Sequence, residues 1–463
     1  MNKLITRCIA FLALLLCAGA GISSVFAQEG RISMTFAGQV GSEYKLLLMG
    51  RQDGTVKFVW GDGTSETKDL YKNKATAIKA QLIDRTLTIE GDVAVLECSG
   101  NNLLKLDVSQ MPQLTDLISR KNFHEVLDLT KSTKLRYLLL QDSPVKSLDL
   151  SHCAQLDSIV CTNNNKLRTL ALPQQAPQLK KLDLSTCPFI SSVNLKGMPR
   201  LEYLDLSGLA LTELDLSQNL ELTYLVAGKS FMGVITQLTL PSPSKLQTVL
   251  LPYIGLTKLD LSGSPLLETL MVSYSESLSE LNLTGLNKLK FLDCQGCAFT
   301  QLDLSGCPNL EVLACNNNSL TELNCSNMKR LKDVACYSNK LKKIDLSGCY
   351  ALTSLDCSVN PTLETLQLSP SIQTLDVSQC ALKEIPGLNQ LYKLKTLTCV
   401  DNELTALDLS TAYGLEVLSC AKNQIKDLSS VTQLFALKSL TVSDNPITAL
   451  TLPNAYNIYF VKI

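Results

Sequence analysis

The sequence has few of the side chains that carry enzyme and metal chemistry. It contains only two histidines, His124 and His152, and one tryptophan, Trp60. Neither histidine stands in a recognisable catalytic triad, and no nucleophile elbow or phosphate-binding glycine loop occurs. Aromatic residues form 5% of the chain although 45% of it is hydrophobic, which favours many small cores over one large core. The composition therefore predicts a protein that is not an enzyme and needs no cofactor.

The chain also lacks an excess of charge of either sign. Its 42 basic and 43 acidic residues give a formal net charge of −1, and no basic tract appears. The sequence therefore lacks the electrostatic footprint of a nucleic-acid-binding protein. The CxxC pair formed by Cys294 and Cys297 is not matched by a second pair, so no metal site is predicted.

A long apolar run occurs only at the start of the chain. Two basic residues precede an apolar run over residues 8–21, and a small-residue cleavage signal ends at Ala27. This pattern predicts a signal peptide over residues 1–27, with a retained anchor or lipidation at Cys17 as alternatives. No later segment is long and apolar enough to cross a membrane. We therefore expect an exported protein, secreted or associated with the outer membrane at the cell surface.

A repeat of 21 or 22 residues occupies most of the remaining chain. Segments 310–320 and 331–341 share the pattern Leu-x-x-[Leu/Val]-x-Cys-x-x-Asn-x-Leu, and we call each repeat a rung and count offsets from its first residue. The seventeen rungs begin at Val93, Leu114, Leu135, Leu156, Leu179, Leu201, Leu222, Leu246, Leu267, Leu289, Leu310, Leu331, Leu352, Ile372, Leu394, Leu415 and Leu437. An eighteenth, incomplete rung begins at Ile458. Such periodicity is the signature of a solenoid.

The spacing within a rung predicts a mostly β structure. Offsets 0, 3 and 5 are apolar and point inward along a strand, whereas offsets 2, 4 and 6 point outward. Stacked rungs should form a parallel sheet on the concave face of the array, which spans residues 93–463. The returning segment alternates as Leu-Asp-Leu and should be extended on the convex face. Because strand then opposes strand, we expect shallow curvature.

Residues 28–92 do not follow the repeat. Short strands are predicted at Ile32–Phe36, Tyr44–Leu48, Val56–Trp60 and Thr86–Glu90, with a tight turn from Trp60 to Thr64. The open end of a solenoid exposes apolar side chains and strand edges. We interpret this segment as an N-terminal β cap, with an independent ligand-binding module as the alternative.

Cysteine and asparagine occupy fixed inward positions. Eight cysteines fall at offset 5: Cys98, Cys161, Cys294, Cys315, Cys336, Cys357, Cys399 and Cys420. They are predicted to be buried thiols. Disulfides between cysteines of neighbouring rungs remain an alternative. Nine asparagines fall at offset 8: Asn101, Asn122, Asn164, Asn318, Asn339, Asn360, Asn402, Asn423 and Asn445. Their amides are predicted to bond otherwise unpaired backbone groups of the turns.

The repeat resembles that of leucine-rich repeat proteins. The variant Leu302-Asp-Leu-Ser-Gly-Cys307, together with the turn Trp60-Gly-Asp-Gly-Thr64, is similar to the internalin-like surface proteins of Bacteroidetes-type bacteria. The resemblance implies a surface or secreted binding protein, with roles in adhesion, invasion and virulence.

The outward positions change character between Leu201 and Asp293. This section gathers apolar and aromatic residues and contains the longest rung, 24 residues from Leu222 to Leu246. The predicted partner-binding residues, which we call the central strip, are Tyr203, Asp205, Tyr224, Val226, Leu250, Tyr253, Met271, Tyr274, Phe291 and Asp293. Aromatic residues are enriched in binding hot spots. Alternatively, the Tyr and Phe residues stabilise the sheet through cross-rung pairs, or form a homodimer contact.

The leading functional hypothesis is a binding protein that uses the concave face of the array. Its expected partner is a protein, such as a host cell-surface or extracellular protein, or a glycan. The alternatives are a self-assembling structural protein of the cell envelope and an inhibitor-like binder of a target enzyme. The sequence leaves the oligomeric state open.

Overall fold

A computed structural model describes residues 30–230, 232–448, 450–452 and 460–462. The predicted signal peptide, as well as Ile458 and Ile463 of the incomplete last rung, lies outside these residues. The described residues form two compact units that divide between Leu201 and Glu202.

Six antiparallel strands precede the first rung. They are β1 (Arg31–Phe36), β2 (Glu43–Gly50), β3 (Gly54–Trp60), β4 (Ser65–Leu70), β5 (Thr76–Gln81) and β6 (Thr86–Glu90). The four predicted strands are confirmed, whereas the sequence interpretation missed β4 and β5, which are polar and half-exposed. In the turn after β3, Gly63 has a φ of 86°. The Asp62 carboxylate there accepts hydrogen bonds from the backbone and the hydroxyl of Thr64.

The first unit closes its open end by pairing these strands with the first rung. Strand β2 pairs antiparallel with β7 (Val93–Glu97), and β1 pairs antiparallel with β8 (Leu103–Gln110). Asn101 at offset 8 reinforces this junction, because its side chain accepts from the Lys45 N–H at 2.8 Å and donates to the Lys45 carbonyl at 2.6 Å. The front strand β7 and the back strand β8 of the first rung are therefore both paired with strands that precede the array, as a cap requires.

One parallel strand of the front sheet lies in each of the seventeen predicted rungs. In the first unit these strands are β7, Asp116–Arg120, Tyr137–Gln141, Ser158–Thr162 and Lys181–Asp183. In the second unit they are Tyr203–Asp205, Tyr224–Val226, Thr248–Leu250, Thr269–Met271, Phe291–Asp293, Val312–Ala314, Asp333–Ala335, Ser354–Asp356, Thr374–Asp376, Thr396–Thr398, Val417–Ser419 and Ser439–Thr441, followed by Phe460–Lys462. The predicted fold, a mostly β solenoid, is confirmed.

The returning segments form shorter back strands. Besides β8 they are Ser147–Asp149, Thr169–Ala171, Glu213–Asp215, Gln237–Thr239, Lys258–Asp260, Glu280–Asn282, Glu322–Asn324, Lys343–Asp345 and Thr365–Gln367. Two rungs have a 3₁₀ helix here instead, at Leu388–Gln390 and Ser429–Gln433, so the extended prediction is wrong for them. Their sequences lack the Leu-Asp-Leu alternation, and Pro386 removes a backbone donor in the first of them.

The back aspartates have a structural role that the sequence interpretation missed. Asp260 accepts a hydrogen bond from the backbone N–H of Ser262 at 2.9 Å, and Asp303 accepts one from Ser305 at 2.9 Å. These bonds form the turn that follows the returning segment in the rungs that carry such an aspartate. The hydrogen bonds from Ser262 hold the pKa of Asp260 below its ordinary value.

The core is a stack of leucines with a column of thiols. All fifteen cysteines from Cys98 to Cys420 are free, and fourteen are buried, with Cys297 partly exposed. Burial in apolar surroundings raises the pKa of Cys315 to about 12. The prediction of buried thiols is confirmed.

The offset-8 asparagines connect successive rungs. The Nδ2 of Asn339 donates to the carbonyl of Cys336 in its own rung and to that of Cys315 in the preceding rung, both at 3.0 Å. Its Oδ1 accepts from the N–H of Leu320 at 3.0 Å. Where cysteine replaces asparagine, the thiol keeps one of these bonds, as in Cys380 Sγ to the Cys357 carbonyl at 3.2 Å. The predicted structural role of the asparagines is confirmed.

Every rung turns through a left-handed residue at offset 7. Glycine holds this position in three rungs, but bulkier residues hold it elsewhere, including Tyr253 and Tyr274 with φ of 59° and Val359 with φ of 55°. A β-branched residue is strained in this region. The loop geometry therefore outweighs the preference of the individual residue.

Replacing Val359 with asparagine is expected to raise the free energy of unfolding by about 1 kcal/mol, because asparagine tolerates the left-handed conformation. Val359 is exposed, so little packing is lost. Urea denaturation measures the change. The reverse substitution Asn317→Val, at the same offset with φ of 54°, should destabilise by a similar amount. No gain in Val359→Asn would contradict the strain argument.

Candidate functional site

The offset-2 positions of the central strip form one row across five strands. Tyr203 lies beside Tyr224, and their rings stack with centroids 4.6 Å apart at an interplanar angle of 4°. Phe291 lies between Thr269 and Val312 and has no aromatic cross-strand neighbour. All three aromatic residues are half-buried. The Tyr203–Tyr224 stack thus fits the alternative interpretation, in which cross-rung pairs stabilise the sheet.

The offset-4 positions form a second row with an apolar centre. Val226, Leu250 and Met271 are cross-strand neighbours, and we call these three residues the apolar window. Asp205 and Asp293 flank the apolar window on the two adjoining strands. Asp293 is only 5% exposed, and it accepts hydrogen bonds from the backbone and side chain of Gln295. The prediction that Asp293 is an outward binding residue is therefore wrong about its accessibility.

Two tyrosines border the apolar window in the loops that follow the strands. Tyr253 and Tyr274 occupy offset 7 of consecutive rungs and stack with centroids 5.1 Å apart. They remain 47% and 43% exposed, more than any other aromatic residue of the strip. The Tyr274 hydroxyl donates to Gln295 Oε1 at 3.3 Å. These rings are the accessible aromatic surface of the central strip.

The long rung contributes further exposed apolar surface. Met232 and Val234 are 61% and 46% exposed, and the hydroxyl of Ser230 accepts hydrogen bonds from the backbone of Met232 and Gly233. Phe231 lies outside the described residues. The structure thus places the exposed side chains of Met232 and Val234 on the rung next to that of Tyr253.

A second set of exposed aromatics escaped the sequence interpretation. Four side chains, 60–70% exposed, lie two residues before a rung start, and we call them the edge aromatics: Tyr350, Tyr392, Tyr413 and Phe435. The recurrence of aromatic residues at this position in the last rungs is a signal in the sequence. It was missed because strand alternation assigns no direction to loop residues.

Within the described ranges, no group of histidine, cysteine and acidic side chains is arranged to hold a metal ion. No described helix is long and apolar enough to span a bilayer. The histidines do not form an accessible site, because His124 is fully buried.

No protein-family model and no curated protein matches the sequence, but solved structures match the fold. The functional domain of InlJ from Listeria monocytogenes is similar with a TM-score of 0.62 and 26% identity, covering 78% of this chain and 77% of that one. YopM from Yersinia enterocolitica has a TM-score of 0.61 and 22% identity, covering 80% and 89%. The InlJ domain is described as including a cysteine ladder, and the offset-5 thiols form such a column here.

The chain has the leucine-rich repeat fold and resembles the functional domain of InlJ. The resemblance inferred from the repeat is thus confirmed. The central strip lies entirely on the second unit, on front strands and the loops that follow them.

Proposed function

We propose that this chain is an exported, non-enzymatic recognition protein whose front face binds another protein. The observation that carries the proposal is the patch formed by the half-buried apolar window and the exposed rings of Tyr253 and Tyr274. Exposed apolar patches framed by polar residues mark interaction sites on soluble proteins. Repeat proteins commonly use the sheet face for binding.

Backbone strain at the two tyrosines supports a role in binding. Glycine or asparagine would occupy the left-handed position at lower cost, and other rungs use them, as at Gly296 and Asn317. Tyr253 and Tyr274 regain part of that cost by stacking, yet keep much of each ring in solvent. Strained residues that stay exposed are typical of functional surfaces.

The similarity to InlJ supports a location at the cell surface or outside the cell. The predicted signal peptide over residues 1–27 supports export. Adhesion to a host cell-surface or extracellular protein is the biological role that we propose, with a glycan as the other partner class.

Replacing Leu250, Tyr253 and Tyr274 together with serine is expected to weaken partner binding at least tenfold. The substitutions remove accessible anchors from the patch. Binding of the purified chain to an array of extracellular proteins and to intact host cells measures the effect. The matched control replaces Tyr392 and Tyr413 with serine, since these edge aromatics are exposed but lie off the front face.

Melting temperature separates recognition from sheet stabilisation. The Tyr203→Ser and Tyr224→Ser pair is expected to lower stability by about 1 kcal/mol through loss of the stack, with a smaller effect on binding. Equal loss of binding in the control variant, or a large fall in melting temperature with binding unchanged in the patch variant, would contradict the proposed function.

A further inference from the structure

The front face of the second unit carries acidic side chains but no basic ones on its twelve strands from Tyr203 to Thr441. Offsets 2 and 4 provide 24 outward positions, of which five are aspartate and none is basic or histidine. The five are Asp205, Asp293, Asp333, Asp356 and Asp376. The whole chain has 42 basic and 43 acidic residues, so this sheet face departs from the overall balance. Basic character returns only in the next strand, at Lys462.

Two lysines beside this face pair with glutamates. At offset 1, Lys290 pairs with Glu268 at 2.7 Å, and Lys332 pairs with Glu311 at 2.6 Å. These rung-to-rung pairs hold two positive charges at the border of the sheet next to a negative partner.

The charges are ordered relative to the apolar window. Asp205 and Asp293 lie on the strands that adjoin the window. Asp333, Asp356 and Asp376 follow on three successive rungs, with Asp356 and Asp376 directly opposite each other. At about 4.8 Å per strand, the eight steps from Asp205 to Asp376 cover roughly 38 Å. The accessible aspartates Asp205, Asp333, Asp356 and Asp376, which we call the negative track, thus lie on the same face as the apolar window.

Neighbouring carboxylates on this track lack full solvation. Burial, together with the adjacent Asp356 carboxylate, raises the pKa of Asp376 above its ordinary value. Like charges directly opposite each other destabilise a sheet. The track therefore carries an electrostatic cost in the free protein, which a cationic partner would relieve.

We propose that the front face of the second unit binds a basic polypeptide segment, with apolar side chains seated on Val226, Leu250 and Met271 and lysine or arginine side chains on Asp205, Asp333, Asp356 and Asp376. This inference rests on the proposed function and specifies the chemistry of its partner. Charge complementarity of this kind raises association rates and discriminates among partners.

Three synthetic peptides of equal length test the inference against the full mature chain. The first has a leucine-rich centre flanked by arginines, the second has glutamates in place of arginines, and the third has serines in place of leucines. Fluorescence anisotropy at low and high salt measures binding. The first peptide should bind at least tenfold more tightly than either of the others, with an affinity that falls as salt is raised.

Two matched sets of Asp→Asn substitutions locate the interaction. The front set replaces Asp205, Asp333, Asp356 and Asp376 and leaves the buried Asp293 intact; asparagine can still accept the turn hydrogen bonds made by Asp205 and Asp356. The back set replaces four back aspartates that accept the same type of bond: Asp260, Asp303, Asp345 and Asp408. The front set should lower the affinity for the first peptide about tenfold and reduce the salt dependence of its binding. The back set should leave both the affinity and its salt dependence unchanged.

Several outcomes would overturn the inference. These are equal losses in the two sets, equal binding of the glutamate peptide, or no binding of the first peptide. The test also separates the two proposals. If the extracellular or cell-surface partner is lost in the Leu250, Tyr253 and Tyr274 variant but retained in the front set, the front face is a binding site and its partner is not basic. If that partner is retained in both variants, the proposed function fails as well.

Discussion

Replacing Asn339 with leucine is expected to lower the free energy of unfolding by about 3 kcal/mol, because one buried N–H loses its only partner and two buried carbonyls each lose one of two hydrogen bonds. The N–H is that of Leu320, and the carbonyls are those of Cys315 and Cys336, which keep the bonds from Asn318 and Asn360. Leucine fills a similar volume, so the loss comes from hydrogen bonding and not from a cavity. Since two of the groups belong to the preceding rung, both rungs should lose stability together.

A second substitution at the same position makes the result specific. Asn339→Cys should cost clearly less than Asn339→Leu, because a thiol at offset 8 can donate to the preceding rung, as Cys380 does. Asn324→Ala serves as an exposed control that loses a single turn hydrogen bond. Urea denaturation with hydrogen exchange at Leu320 measures the series. An equal loss in the free energy of unfolding for the leucine and cysteine variants would show that the hydrogen bonds of the offset-8 side chain do not stabilise the rungs.

The stability of the first unit is expected to fall by about 3 kcal/mol between pH 6.5 and pH 4 through His124 alone. His124 is fully buried, its Nε2 lies 3.0 Å from Ser119 Oγ, and its Nδ1 has no hydrogen-bond partner. Burial therefore lowers the pKa of His124 to about 4. The unfolded chain, with an ordinary pKa near 6.5, binds the proton first as the pH falls. The stabilisation is complete above pH 6.5 and is lost as the pH approaches 4.

His124→Gln isolates this contribution, because glutamine does not titrate and its oxygen can still accept from Ser119. Chemical denaturation across the pH range should show a flatter dependence in this variant than in the wild type. His152→Gln is the matched control, since it removes an exposed imidazole by the same substitution. Asp116 changes the pH dependence of stability in the opposite direction, because burial raises its pKa. The contribution of His124 is therefore given by the difference between the His124→Gln variant and the wild type. Identical slopes in all three proteins would refute the assignment.

The sequence predicted the parts of the fold that depend on side-chain type at a fixed period. Leucine and cysteine at inward offsets predict the core, and the amide at offset 8 predicts a bond to the turn. The left-handed residue at offset 7 could not be predicted in the same way. Its identity varies from Gly296 to Tyr274 and Val359, because the surrounding turn fixes the backbone whatever side chain is present.

The central strip shows the same limit. Alternation along a strand correctly predicted that Val226, Leu250 and Met271 share a face. It could not predict that the Gln295 side chain covers Asp293, since that depends on a rotamer. Alternation also gives no direction for loop residues. The stack of Tyr253 on Tyr274 could therefore not be predicted from the sequence.

The asparagine contacts have a consequence for how the protein evolves. Apart from Asn101, which bonds Lys45 of β2, each offset-8 asparagine bonds within its own rung and to the preceding rung, as Asn360 does with the carbonyls of Cys336 and Cys357. A duplicated or deleted rung therefore presents the same donors and acceptors to its new neighbour. The length of the array can change in whole steps through recombination between repeats. The recognition face can then be lengthened or shortened without a new core.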